Sequence, residues 1–133
     1  MVLAATNRPQ DLDEAIRRRL EKRIYIPLPT RAGREQLFKI NLKGIQLSEQ
    51  IDWATLHEIT EGYSGADITC VCRDAAMMPL RRKLAEGLDI AAVKQMANEV
   101  NAPLVMTDFL EALKNVSKSV GPEQLAGYAE WMK

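Results

Sequence analysis

Three stretches of the sequence carry residue types that could act on a phosphate group. Asn7 follows a short apolar run, arginines fill positions 17–19, and Gly62–Asp67 combines small residues with a polar helix start. A side-chain amide can hold a water or a phosphate oxygen, and guanidinium groups bind phosphate through two parallel hydrogen bonds. A helix N-terminus offers free N–H groups to an anion. Each of these residue types could therefore contact a phosphate-bearing ligand.

Each stretch also has a simpler interpretation, which its own residues leave open. Asn7 can open the turn before Pro9, and the arginine run can be a solvated helix end. Successive helical positions differ by about 100°, so three adjacent arginines cannot serve one contact, although two could reach one phosphate. The simpler interpretation of Gly62–Asp67 is a capped helix start that follows a tight turn.

The sequence lacks the residues for a self-sufficient catalytic site. His57 is the only histidine, with no acidic pair or cysteine placed beside it, and we interpret it as a surface or core residue. Cys70 and Cys72 have no metal-site spacing and cannot bridge each other on a helix, which predicts no metal site and reduced thiols of an intracellular protein. The sequence contains no phosphate-binding loop of the G-x-x-x-x-G-K-[ST] kind.

The composition narrows the class of protein. The 133 residues are 47% hydrophobic and 27% charged, with Lys+Arg and Asp+Glu equal at 18 each. This balance excludes a general polyanion binder and most disordered linkers, and no apolar run is long enough to span a membrane. The basic excess is confined to positions 17–23, where no aromatic residues interleave to stack bases. We therefore expect neither nucleic acid nor membrane as a partner.

The first 29 residues are predicted to form part of an α/β sheet. Val2–Thr6 has the pattern of a strand buried on both faces, and Arg23–Ile26 that of a second strand. Between them Asp11 is predicted to cap a helix that runs to Leu20, with Glu14 completing a capping box. A buried strand needs neighbours for its hydrogen bonds, so we expect the chain to be a fragment whose missing part is N-terminal.

From Thr30 onward the pattern predicts helices. The expected caps are Thr30 and Ser64, the latter with Asp67, and the expected stops are Gly44 and Gly62. The predicted helices span residues 30–43, 51–59, a long segment after Ser64 that Pro79 kinks or interrupts, 106–116 and the segment after Gly121. In the long helix after Ser64, the apolar residues expected to face inward are Ile68, Val71, Cys72, Ala75 and Met78. In the helix over residues 106–116, they are Phe109, Leu110 and Leu113. Residues 84–103 are expected to hold a short helix and a loop.

In order and spacing, these motifs resemble the AAA ATPases across essentially the whole chain. Ala4–Pro9, Leu12-Asp13, Arg17–Arg19 and Pro27–Pro29 resemble their second region of homology, and Gly62–Asp67 resembles their sensor 2 segment. Residues 16–29 are similar to the meiotic subgroup, which contains katanin, spastin, fidgetin and the ESCRT-disassembling ATPase. Residues 71–75 and 117–120, with Tyr128 and Trp131, resemble the katanin family, and spastin is the alternative.

The resemblance implies a fold and a set of roles. The fold is mostly α, the C-terminal part of an AAA module. Residues 1–29 belong to the edge of the large α/β subdomain, 30–116 form the helical lid, and 117–133 form a C-terminal helix. Asn7 matches sensor 1, which orients the attacking water. Arg18 and Arg19 match arginine fingers, and Arg17 is the alternative to either of them. The resemblance places Leu37, Asn41, Gly65 and Ala66 at the adenine and ribose, although the family often has His at position 41.

The same resemblance implies a function for the intact protein. It would be a cytoplasmic ATP hydrolase that uses ATP and Mg²⁺, assembles into a ring, expected to be a hexamer, and severs microtubules by pulling on tubulin tails. A regulatory subunit is a further expected partner, and the cytoskeleton the expected location. The 133 residues alone are expected to be inactive. The alternative from another class is a non-catalytic helical interaction module.

Overall fold

The computed structural model describes residues 1–87, 91 and 103–132. The chain divides into two compact units, the first formed by Met1–Pro27 with Val120–Lys133 and the second by Leu28–Ser119. We call them the terminal unit and the central unit. The structure thus groups the first and last segments together, and the three domains expected from sequence stay a prediction.

Helices account for the regular structure of both units. The terminal unit holds a 3-10 turn, Pro9–Asp11, and the helices α1 (Glu14–Arg19) and α6 (Pro122–Trp131). The central unit holds α2 (Arg31–Asn41), α3 (Trp53–Ile59), α4 (Gly65–Ala85) and α5 (Met106–Asn115). The mostly helical fold class is confirmed. The short helix and loop expected over residues 84–103 fall mainly on positions outside the described residues.

The two predicted strands are not formed. In residues 1–27 the structure contains no strand, and the side chains of Val2 and Ile26 are 83% and 85% exposed. Neither segment has a neighbouring strand here to accept its backbone hydrogen bonds, and an unpaired apolar run has nothing to fix it as a strand. The one β-bridge among the described residues joins Leu47 and Leu104 in parallel within the central unit.

Helix starts follow the predicted caps in the central unit but not at α1. The Thr30 hydroxyl accepts from the Gly33 N–H at 3.2 Å, which confirms the start of α2. In the terminal unit Asp13, not Asp11, caps α1, accepting from Ala15 N–H at 2.7 Å. The capping box predicted from Asp11 and Glu14 is therefore wrong, because Asp11 belongs to the preceding 3-10 turn and pairs with the Arg8 guanidinium.

Helix α4 is the centre of the core and packs against α2 and α5. The predicted stripe is confirmed at Ile68, Val71, Cys72 and Ala75, which are buried, whereas Met78 is half-buried and Pro79 is buried instead. The helix continues through Pro79.

On α5 Phe109 is fully buried, but Leu110 is 38% exposed, so its predicted inward position is wrong. Its 100° offset from Phe109 turns it away from α4.

The cysteines are free thiols in different surroundings. Cys70 is exposed and Cys72 is buried, and they form no bridge, as their spacing predicts. Burial raises the pKa of Cys72 to about 12, because a thiolate would lose its hydration. Cys72 is therefore an inert core residue.

A buried carboxylate joins the start of α4 to the segment that follows α5. One oxygen of Asp67, Oδ2, accepts from the N–H of Ser64 at 3.0 Å and from the N–H and hydroxyl of Ser119 at 3.1 and 3.0 Å. In return the Ser64 hydroxyl accepts from the Asp67 N–H at 3.2 Å, which confirms the predicted capping box. We call this arrangement the Asp67 clamp.

The hydrogen bonds of the Asp67 clamp decide the charge state of the carboxylate. Burial would raise the pKa of Asp67, but the bonds from Ser119 and Ser64 outweigh it and lower the pKa below its ordinary value. Asp67 is therefore ionised at neutral pH, although the residue is only 6% exposed.

His57 is a core residue of the central unit. It is 5% exposed, and its ring lies 5.7 Å from the Phe38 ring and stacks on Trp53 at 6.2 Å. Burial lowers the pKa of the imidazole, and the nearby arginines Arg31 and Arg34 add to this effect, while Glu35 opposes it. The folded protein therefore holds His57 neutral.

Replacing Asp67 with alanine is expected to lower the free energy of unfolding by about 2–3 kcal/mol, because the N–H groups of Ser64 and Ser119 lose their acceptor. Urea unfolding followed by circular dichroism measures the loss. Asp11→Ala, which removes one exposed ion pair, is the matched control and should cost less than about 1 kcal/mol. Equal losses in the two variants would contradict a stabilising clamp.

Since its folded-state pKa is lowered, the contribution of Asp67 should disappear as pH falls through that value.

The fold is expected to weaken as pH falls below neutrality, because only the folded state holds His57 neutral. The folded state keeps the imidazole neutral, whereas the unfolded chain takes up a proton near the ordinary histidine pKa of about 6.5. Stability is therefore complete above that value and declines as pH falls toward the lower folded-state pKa. Urea unfolding at several pH values measures this slope. His57→Gln, which removes the only histidine, should flatten it, and a flat profile for the unmodified chain would contradict the assignment.

Candidate nucleotide-facing site

The N-terminus of α4 exposes two free backbone donors beside an apolar side chain. The N–H groups of Gly65 and Ala66 make no hydrogen bonds within the described residues, while the Ser64 hydroxyl occupies the N–H of Asp67. A side chain placed on Gly65 would come within 3.8 Å of Leu37 Cδ1, so Leu37 lies directly beside this helix end. Free donors and an adjoining apolar surface suit the polar edge and the flat face of a nucleobase.

Asn41 extends this surface along α2. Its amide nitrogen donates to the backbone carbonyl of Leu37 at 2.8 Å, one helical turn earlier. The side chain is half-buried and is held against its own helix. The structure therefore brings Leu37 together with both Gly65 and Asn41. It places Ala66 at the exposed start of α4.

The three arginines of α1 differ in exposure. The Arg18 side chain is 79% exposed and pairs with Glu14 one turn earlier, and Arg19 is also exposed. Arg17 is half-buried, and its Nε is shielded from solvent with no hydrogen-bond partner among the described residues. The spacing of about 100° between consecutive helical positions thus leaves the side chains of Arg18 and Arg19 exposed to solvent. An exposed guanidinium held by one weak surface pair can exchange that pair for a phosphate.

Asn7 lies at an exposed bend, where its backbone is fixed and its side chain is free. The Asn7 carbonyl accepts a hydrogen bond from the Tyr128 hydroxyl of α6. The side-chain amide makes no hydrogen bond to any residue that the structure describes. In the sequence, Tyr128 contributes only to the resemblance to the katanin family, and no local pattern indicates its contact with Asn7.

The seven predicted site residues fall into both units. Asn7, Arg18 and Arg19 belong to the terminal unit, and the four residues at the helix α4 entry belong to the central unit. The roles that the resemblance implies for these residues stay a prediction.

A cavity of about 520 Å³ in the central unit contains none of the predicted site residues. It is lined by Arg34 and His57 among others, and Arg34 is 6% exposed. The Arg34 guanidinium donates to the carbonyls of Pro29 and His57 at 3.2 and 2.8 Å. Sequence patterns did not single out Arg34. Its bonds tie the start of α2 to α3, which is a structural role.

Neither a metal cluster nor a membrane span is present in the described part of the chain. Residues 1–87, 91 and 103–132 contain no group of three or more His, Cys, Asp or Glu side chains that could hold a metal ion. Within the same residues, every helix is too short or too polar to cross a bilayer.

Comparison with known proteins shows which family the chain resembles. A model of the AAA+ lid domain matches residues 50–97, which include α3 and all of α4. Katanin p60 ATPase-containing subunit A1 of Strongylocentrotus purpuratus is 57% identical over 134 residues, covering 100% of this chain and 26% of the relative. The chain thus spans about a quarter of the length of that curated relative.

Solved structures agree with the sequence match. A structure described as the basis for katanin self-assembly superposes with a TM-score of 0.82 at 40% identity, covering 92% of this chain and 43% of that one. The FIGL-1 AAA domain in complex with ADP gives 0.77 at 38% identity, covering 95% and 41%. The chain is thus a katanin-like AAA sequence, which matches the C-terminal part of that domain and includes its lid.

Proposed function

We propose that this chain forms the C-terminal part of an ATP-hydrolysing, microtubule-severing AAA protein of the katanin type. The observation that carries the proposal is the 57% identity to a katanin p60 ATPase-containing subunit over the full length of the chain. The ADP complex of the similar FIGL-1 AAA domain supports a nucleotide ligand. Spastin is the alternative within the same subgroup.

The proposed roles divide between the two units. In the terminal unit Asn7 orients the attacking water, and Arg18 and Arg19 stabilise the developing phosphate charge in a neighbouring subunit. In the central unit Leu37 and Asn41 line the adenine pocket, and the free N–H groups of Gly65 and Ala66 face the base and ribose. The exposure of both arginines and the free N–H groups of Gly65 and Ala66 support these roles.

The residues that the structure describes do not fit a magnesium site. Mg²⁺ prefers carboxylate and phosphate oxygens in octahedral geometry, and the described residues offer no acidic cluster for it. We therefore assign Mg²⁺ to the nucleotide phosphates and to residues outside these 133. The sequence also has no phosphate-binding loop, so we propose that the 133 residues hydrolyse no ATP alone.

The proposed partners follow from the same assignment. Fingers that act on a neighbour require self-association, and the solved structure named for katanin self-assembly supports it. We propose a ring, expected to be a hexamer, that acts on tubulin tails in the cytoplasm at the microtubule cytoskeleton, with a regulatory subunit as a further partner. In the other functional class, a helical interaction module, neither arginine would affect ATP hydrolysis.

Substitution of both Arg18 and Arg19 with alanine in the full-length protein is expected to abolish the stimulation of ATP hydrolysis that accompanies assembly. The expected fall in kcat is at least about a hundredfold, since arginine fingers contribute roughly 10³–10⁵. The melting temperature should not change, because both side chains are exposed. Lys22→Ala is the matched control, an exposed cation three residues away, and should keep the unmodified rate. An unchanged rate in the double variant would refute the finger assignment.

Mixed rings distinguish action in a neighbour from action within one subunit. A variant with Arg18 and Arg19 replaced keeps its own Asn7, and an Asn7→Ala variant keeps its arginines. If the fingers act in a neighbour, mixing the two variants creates some complete sites and restores part of the activity. Mixtures no more active than the separate variants would place the arginines and Asn7 at the same subunit's site.

A further inference from the structure

Helix α6 makes three side-chain contacts inside the terminal unit, one to the segment that contains Asn7 and two to residues 23–25. The Tyr128 hydroxyl donates to the Asn7 backbone carbonyl. The Tyr128 ring lies 6.2 Å from the Tyr25 ring, and the Arg23 guanidinium lies 5.1 Å from the centre of the Trp131 ring. Tyr128 and Trp131 are three residues apart, so both project from one face of α6. The contacts to residues 23–25 hold this face of α6 in place, and the Tyr128 hydroxyl ties it to Asn7.

The hydrogen bond from Tyr128 restrains the backbone of Asn7 without occupying its side chain. On either side of Asn7, the Thr6 hydroxyl oxygen accepts from the Arg8 N–H at 3.0 Å, which fixes the bend. Arg8 in turn pairs with Asp11 through Nε at 2.7 Å. The Asn7 residue itself is exposed. Its amide thus projects from a fixed backbone and is free to meet a ligand.

We propose that Tyr128 is a positioning residue for ATP hydrolysis, whose hydroxyl fixes the Asn7 backbone and so aims the Asn7 amide at the attacking water. This inference rests on the proposed function, which gives Asn7 its role. Small displacements of a group that orients a reactant cost rate even when binding is retained. Without the bond, the bend that carries Asn7 would sample more positions, and fewer of them would align the water.

The first test is Tyr128→Phe in the full-length protein, with ATP turnover measured at saturating and limiting ATP. This change keeps the ring that faces Tyr25 and removes only the hydroxyl. We expect kcat to fall roughly three- to tenfold, the range that corresponds to one net hydrogen bond, with KM for ATP and melting temperature unchanged. Tyr25→Phe is the matched control, because the Tyr25 hydroxyl makes no hydrogen bond among the described residues, and it should keep the unmodified kcat.

A double-variant cycle with Asn7→Ala identifies the route of the effect. If Tyr128 acts through Asn7, Asn7→Ala lowers kcat and adding Tyr128→Phe lowers it no further. Independent losses that multiply, or an unchanged kcat in Tyr128→Phe alone, would overturn the positioning role and leave the proposed function standing. An unchanged kcat in Asn7→Ala would instead overturn the role of Asn7, and the inference with it.

Discussion

The start of α4, on which the central unit is built, depends on the buried carboxylate of Asp67. Asp67 occupies the first turn of the longest described helix, and its Oδ2 accepts three hydrogen bonds that join this turn to Ser64 and Ser119. A buried charge is tolerated only where such donors replace its hydration. The same bonds fix the direction in which α4 begins. They also anchor the chain after α5, 52 residues further on in sequence.

The Asp67 clamp determines what the helix end can offer to a ligand. With the Asp67 N–H occupied by Ser64, only the first two donors of α4 stay free, at Gly65 and Ala66. Leu37 is brought beside them because α2 packs on α4, and the mutual burial of Phe38, Ile68 and Phe109 maintains that packing. The candidate nucleotide-facing surface is therefore a by-product of how α4 is capped and buried. A separate loop is not needed to build it.

Caps and packing faces could be predicted from the sequence where the residues that make them lie close together in the chain. Ser64 and Asp67 lie three residues apart, and the apolar stripe of α4 repeats with the helical period, so both were predicted correctly. The contacts from Asp67 to Ser119 and from Tyr128 to Asn7 join distant segments, and no local pattern encodes them. The strands at residues 2–6 and 23–26 failed for a related reason, since a strand exists only with a partner that these residues do not supply. Asp11 failed because two aspartates competed for one helix start, and spacing alone favoured the wrong one.

The central claim is that these 133 residues supply working parts of a katanin-type ATPase. A chimera tests it most directly, with this chain replacing the matching quarter of katanin p60 ATPase-containing subunit A1 of Strongylocentrotus purpuratus. The quantity to measure is the steady-state rate of ATP hydrolysis, with folding and assembly checked by circular dichroism and sedimentation. We expect a rate comparable with that of the parent. A chimera that folds and assembles but hydrolyses no ATP would contradict it.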